Sequence, residues 1–394
     1  MRNMNILIAL CVAVGSFPCL LGKPKTSEIG SDLGMKIFNQ VATSQPTENI
    51  VMSPHGIVSL LWILQFGADG ITKKELNDVL KYSRLGTYTR LKNVHKSLTA
   101  GKSKNVVAFA NGIFVPRDLV LKKDFIKQCS ETYQTEPTNV NYAEPEAAAS
   151  IINKWAGSHT KGMITEIISP DILNEATKLV VTSAIYFKGA WKSQFDVAKT
   201  HEGDFTGADG DVSQVPMMVQ TSKFMFGMAS TPNKVEYNVL QLPYNEAVSM
   251  FIILPVDSST ALTEIIPHIN INSINAWKKI LKSNKLDISI PRFTAESETN
   301  LEELLAPLGI TNIFDKNTAN FKKLSKFRGL YVSQILQKAK IEVNEEGTKA
   351  SAMTAALLKL KSRSTQFAVN RPFLYIIWHQ STGTILFTGQ VAKP

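Results

Sequence analysis

The sequence predicts an α+β domain built round large mixed sheets, and three observations carry that expectation. Helical spacing dominates the first half of the chain and strand-length apolar or alternating runs dominate the second, with the two kinds interleaved. The run KLVVTSAIYF, Lys178 to Phe187, is almost continuously apolar, as a central strand buried on both faces must be. No Gly/Ser or Pro-rich linker, low-complexity run or internal repeat divides the 394 residues. One large domain is therefore expected, although length alone would suggest two or more.

Taken in order, Lys25 to Thr43 carries Ile29, Leu33, Met35, Ile37 and Phe38 at helical spacing and predicts the first helix. Asn49 to Pro54 runs a short strand into a helix that Ser53 can cap, with Pro54 at its first position. That helix, Pro54 to Phe66, is apolar almost all round and is expected to be buried. A short helix from Thr72 to Tyr82 follows the turn Gly67 to Gly70, a strand is expected over Val106 to Val115, and Lys122 to Thr132 and Pro145 to Thr160 look helical. Further strands are expected at Lys223 to Met228, Tyr237 to Leu242, Met250 to Leu254, Leu286 to Ile290, Leu330 to Val343, Leu374 to His379 and Thr384 to Thr388. Helices at Thr260 to Ile266, Ser273 to Leu281 and Leu301 to Leu308 fall between them.

A hydrophobic content of 44% lets a chain of this size bury a large core and excludes a disordered chain. Residues 1–22 carry Arg2, an apolar run from Ile6 to Val14 and a Cys19-to-Gly22 tail, the pattern of a secretory signal peptide. That run is too short to span a bilayer, so a secreted, extracellular protein is expected, with residues 23–394 as the mature domain. Removal of Cys11 and Cys19 would leave Cys129 alone, without a disulfide. No Asn-x-Ser/Thr sequon is present. The formal net charge of +10 favours acidic partners and is silent on fold.

The stretch IEVNEEGTKASAMTAA, Ile341 to Ala356, begins as an alternating strand, passes Glu345-Glu346-Gly347 and becomes a run of small residues. As a strand it would place Thr348, Ala350, Ala352 and Thr354 on one uniformly small face, with Lys349, Ser351, Met353 and Ala355 on the other. A face that small could slide between packed strands without overfilling the layer beneath. Composition by itself favours an Ala-rich surface helix ending in lysines.

The flanks favour the strand. Glu345-Glu346-Gly347-Thr348 followed by Ala350-Ser351-Ala352 and Thr354 resembles the hinge of inhibitory serpins, and FAVNRPFLYII, Phe367 to Ile377, resembles that family's C-terminal signature. Ser53-Pro54, Gly67-Ala68, Tyr186 to Trp191, Ile290 to Phe293, Leu308-Gly309-Ile310 and Gln390-Val391 extend the resemblance over essentially everything after the signal segment. It implies a serpin-like fold with about nine helices, three β-sheets including a large central mixed one, and an exposed reactive loop over about residues 345–367. It also implies that Trp191, Arg292 and Glu345 meet at the top of the main sheet, with Arg292 and Glu345 as an ion pair.

The family's spacings from Gly347 and from Asn370 both land on Lys361, which makes Lys361-Ser362 the expected scissile bond. A basic residue there matches the acid at the base of a trypsin-like specificity pocket. Arg363-Ser364 and Lys359-Leu360 are competing bonds, and the spacing disfavours the first. The family's polar cluster beneath the central strands is altered. Ser53 is kept, but Gly56 stands where a second serine is usual, Ser183 where an asparagine is, and Gln337 where a histidine is. Because buried polar clusters must be mutually satisfied, three coordinated changes point to rewiring.

Lys81, Arg84, Arg90, Lys92, Lys96, Lys102 and Lys104 form a basic stretch, and Arg90, Lys92 and Lys96 on an expected helix Thr87 to Leu98 could present a strip to a heparin-like sulfated polysaccharide. The alternative is an ordinary solvated face. The histidines at 55, 95, 159, 201, 268 and 379 make no metal spacing, and Gly-x-Ser-x-Gly, P-loop and dinucleotide patterns are absent. No metal, cofactor or enzymatic activity is expected. The leading reading is a monomeric, secreted suicide inhibitor of trypsin-like serine proteases. A non-inhibitory carrier or chaperone of the same family is the alternative, and a nucleic-acid or membrane-surface binder rests on charge alone.

Overall fold

The computed structural model describes residues 26–81, 92, 93, 95, 96, 106–346 and 365–394. The expected signal segment, and Gly347 to Ser364 of the expected reactive loop, lie outside the described residues.

A buried helix sits at the centre. Pro54–Gly67 buries every residue except His55, and the Ser53 hydroxyl accepts from the Gly56 N–H at its amino end. The first helix, Thr26–Ser44, packs against it so closely that a Cβ at Gly34 would collide with Pro54. Over these helices lies a five-stranded mixed sheet whose order across the sheet is Phe293–Asn300, Val332–Val343, Leu179–Lys188, Val106–Pro116, Thr138–Val140.

Leu179–Lys188 is the apolar run expected to be buried on both faces, and it is. Leu179 and Val181 point into the core around the buried helix, whereas Val180 and Ala184 pack on the opposite side beneath Pro145–His159, against Ala149 and Ile152. Alternation sends successive side chains to opposite layers, so a strand between two layers is apolar on both faces, with Thr182 and Ser183 as its buried polar exceptions.

The remaining strands form a nine-stranded sheet. The three sheets implied by the family resemblance thus appear as two hydrogen-bonded networks. The cause is the 19-residue strand Val212–Ser230, which pairs with His201–Thr206 in its first half, with Glu236–Pro243 in its second, and with Lys282–Pro291 between. The sequence pattern had marked only its last third, Lys223 to Met228, as strand. Two expected helices also differ. Thr260 to Ile266 is two 3-10 turns, Leu262–Glu264 and Ile266–His268, and Leu301 to Leu308 is a four-residue helix, Glu302–Leu305, followed by a 3-10 turn. Pro267 and Pro307 lack the N–H that a continuing helix needs. The expected helix Thr87 to Leu98 lies mostly outside the described residues, and the other expected elements are present with ends shifted by a few residues.

Candidate functional site

The site is the seam between Leu179–Lys188 and Val332–Val343. These strands are parallel neighbours, in register from Gln334 opposite Val180 to Glu342 opposite Lys188, with one irregularity at Ser333 before Val332 opposite Leu179. The chain leaves the upper end of the second strand directly into Asn344, Glu345 and Glu346. Whatever follows Glu346 therefore starts at the top of a parallel pair.

The top is held by a cluster of side chains around Trp191 and Glu345. Trp191 is buried, stacks on Tyr244 with ring centres 3.9 Å apart, and donates its Nε1–H to the Asn344 carbonyl at 2.8 Å. Glu345 is buried, accepts from the Thr200 hydroxyl at 2.8 Å, and stands 3.7 Å from the half-exposed Arg292 guanidinium. Lys188 lies 3.7 Å from Glu342 and 3.6 Å from Glu346, bridging the last residue of one strand to the hinge of the other. Trp191, Arg292 and Glu345 are thus brought together as the sequence suggested. Thr200, Lys188 and Tyr244 complete the arrangement and were missed. Lys188 lies within the Tyr186 to Trp191 motif, which by itself gives it no partner, and no local pattern marks Thr200 or Tyr244, because only strand pairing brings them there. A Cβ at Gly189 would enter the Tyr244 ring, which explains the glycine between the strand and Trp191.

The middle of the seam is closed from beneath by a different chemistry. The Gln337 carboxamide binds the Ser53 backbone on both sides, accepting from its N–H at 2.7 Å and donating to its carbonyl at 3.0 Å. The Ser53 hydroxyl donates to the Leu386 carbonyl at 2.6 Å while accepting from Gly56 N–H at 3.1 Å. Three segments far apart in sequence are joined by one buried serine and one buried glutamine. Gly56 follows from this packing, because a Cβ there would collide with Ile185 Cδ1 and stand 2.6 Å from Ser183 Oγ and 2.9 Å from Gln337 Nε2. The expected rewiring is therefore visible, and Gln337 takes the linking role. Ser183 is fully buried, yet its hydroxyl has no protein partner among the described residues.

Beside this cluster, His55 holds its ring edge-on to Phe109, with its Nε2 buried and without a protein partner among the described residues. Burial first, then the charges of His95 and His379, bring its pKa down to about 3. Cys129 is buried, and that burial pushes its thiol up to about 12, which leaves it an inert core residue.

Of the basic strip, Lys92 and Lys96 are described, flanking a buried His95 that packs on the Tyr133 ring. Lys92 lies 4.0 Å from Glu131, and Lys96 is exposed. Arg90, Lys102 and Lys104 lie outside the described residues. So do Gly347, Thr348, Ala350, Ser351, Ala352 and Thr354 of the hinge, and Lys361 and Ser362 of the expected scissile bond.

Comparison with known proteins gives one family, described as Serpin (serine protease inhibitor), whose model matches residues 28–394. The chain is 44% identical to glia-derived nexin of Rattus norvegicus over 394 residues, 100% of this chain and 99% of that protein. It is 37% identical to plasminogen activator inhibitor 1 of Neovison vison over 398 residues, 100% of both. Among solved structures, native protease nexin-1 with heparin superposes with a TM-score of 0.89 at 44% identity, covering 94% of this chain and 99% of that one. Uncleaved ovalbumin superposes with a TM-score of 0.87 at 25% identity, covering 94% and 100%.

Proposed function

The chain belongs to the serpin family of serine protease inhibitors, and we propose on that premise that it is a secreted suicide inhibitor of trypsin-like proteases, with Lys361-Ser362 as the bait bond. The protease serine attacks the Lys361 carbonyl carbon, the bond to the Ser362 nitrogen breaks, and an ester holds the enzyme on Lys361 while the new amino terminus at Ser362 departs. The freed segment from Gly347 to Lys361 then enters the central sheet at the seam, as a strand added between Leu179–Lys188 and Val332–Val343.

The observation that carries this reading is the parallel pairing of those two strands, with the hinge leaving directly from the top of one. A segment that turns back at Glu346 runs antiparallel to both. Insertion breaks one parallel ladder and makes two antiparallel ones, the pairing that is slightly more stable per residue. The net gain is about one ladder of roughly ten hydrogen bonds, on the order of 10 kcal/mol at about 1 kcal/mol each, before packing is counted. That suffices to offset distortion of a captured enzyme. The small face formed by Thr348, Ala350, Ala352 and Thr354 is what lets the segment pass over the packed layer without strain.

Incubation with trypsin tests the whole reading. The expected result is an SDS-stable covalent complex and a released C-terminal fragment that begins at Ser362. A fragment beginning at Ser364 would move the bait bond to Arg363, and clean cleavage with no complex would favour the non-inhibitory carrier instead.

A sulfated polysaccharide is the second proposed partner. A relative 44% identical to this chain is known in crystals with heparin, and Arg90, Lys92, Lys96, Lys102 and Lys104 supply the cations for such a ligand here. Retention on heparin resin beyond physiological salt is expected, and elution below it would dispose of the idea.

A further inference from the structure

At the end of the central sheet remote from the hinge lies a cleft of about 970 Å³ that the inhibitory reading leaves unused. Its position follows from the fold. Val106–Pro116 ends there, the chain turns through Arg117 and Asp118, and Leu121 forms an isolated antiparallel bridge with Ser325. The frame is tied together. Asn139 Nδ2 donates to the carbonyls of Pro116 and Arg117 at 3.0 Å and of Leu119 at 3.2 Å, Lys122 N–H donates to Leu324 O at 2.9 Å, and the Ser325 hydroxyl donates to Val120 O at 2.7 Å. The cleft is pre-formed, as small-molecule sites generally are.

Two features of its lining point the same way. The walls are apolar, with Val140 and Tyr142 at 1% and 4% exposure, while Val120 and Phe327 stand open to water at 81% and 58%. The charged groups at the rim are unbalanced, with Arg117, Lys122, Lys123, Lys178 and Lys326 against the carboxylates of Asp118 and Glu175. Among the described residues, none of these five cations forms an ion pair. An apolar trough with uncompensated cations at its mouth is complementary to a molecule that has an apolar tail and an anionic head.

We propose that this cleft binds a single-tailed amphiphile with an anionic head group, its tail along Val120, Val140, Tyr142 and Phe327 and its head among Arg117, Lys178 and Lys326. The inference is independent of protease inhibition and of the bait bond. A fatty acid and a lysophospholipid share that chemistry and differ in the head, a carboxylate in one and a phosphate in the other.

The test is calorimetric titration of the full chain with oleate below its micelle concentration, with 1-oleoyl lysophosphatidate as the phosphate arm and oleyl alcohol as the uncharged control. One saturable site is expected for at least one of the two anions, with oleyl alcohol weaker by about tenfold or more. The pair Lys178→Ala and Lys326→Ala removes head-group cations from the rim, and Val120→Asp places a charge in the trough at an exposed position, so unfolding midpoints should hold while affinity falls about tenfold in each. Absence of saturable binding for both anions, equal affinity for oleyl alcohol, or affinity unchanged in either variant would each overturn the assignment.

Discussion

The two halves of the seam are closed by different means. In the middle, Gln337 and Ser53 are buried and exchange two hydrogen bonds, whereas at the top Lys188 meets Glu342 and Glu346 in partly exposed ion pairs and the half-exposed Arg292 faces the buried Glu345. A buried amide pair is costly to break because each freed group keeps its desolvation penalty, while an exposed ion pair is replaced by water at little cost. The difference assigns an order. On the proposed insertion, the seam should open from the hinge end downward, with the Gln337 cluster as the last barrier.

The largest expected effect comes from denying the seam its strand. Thr348→Arg places a long charged side chain on the face that must pass over the packed layer, so trypsin should cleave the loop without forming an SDS-stable complex. A stable complex surviving that change would mean that the seam takes no inserted strand and that the contrast between its two ends has no bearing on inhibition.

Next in size is the middle cluster. Gln337→Met keeps the volume but leaves the Ser53 N–H without its partner, while the Ser53 carbonyl keeps the Ile57 N–H, so unfolding stability should fall by about 2 to 3 kcal/mol. Gly56→Ser should also destabilise, since it drives an extra side chain into Ile185 and Ser183. Combining Gly56→Ser with Ser183→Asn and Gln337→His, the residues usual in the family, should cost much less than the separate changes added together, because the four positions share one network. Additive losses in denaturant melts would show that the cluster is not coupled.

Acid provides a change at the same place without mutation. The folded pKa of His55 lies near 3, below the 6.5 of a free imidazole, so the unfolded chain takes up the proton first. Stability from this group is complete above pH 6.5 and falls as the pH drops toward 3, by about 2 kcal/mol between pH 6.5 and 5. His95, brought down to about 4 by burial, adds a loss of the same sign. His55→Gln should flatten the slope of melting temperature against pH in that window, and an unchanged slope would remove His55 as its source.

The sequence made the frame of this contrast legible more readily than its fastenings. Ser53-Pro54 announced the cap and first turn of the buried helix, and the unbroken apolar run to Phe187 announced a strand between two layers, since both depend on neighbours in the chain. Phe293–Asn300 and Thr365–Ala368 were missed as strands because each lies at a sheet edge, where TAESETN can face water and stay polar. Gln337 was recognised as a departure from the family pattern, yet its partners depend on how far its longer side chain reaches toward residue 53, which spacing does not encode. Arg292 and Glu345 were paired through the resemblance. Thr200, which shares the same carboxylate, had no such guide.

The smallest effects are expected at the top of the seam, and their smallness is the point. Trp191→Phe removes the bond to Asn344 O and part of the ring stacked on Tyr244, which should cost about 1 to 2 kcal/mol. Lys188→Ala removes a partly exposed cation from Glu342 and Glu346, so the loss of stability should stay below about 1 kcal/mol and shrink further in salt. The rate of complex formation with trypsin is the discriminating readout. If opening begins at the top, Lys188→Ala should alter that rate while leaving the denaturant midpoint nearly unmoved, and Gln337→Met should move the midpoint far more. Equal shifts of midpoint in the two variants would show that the seam is held evenly along its length.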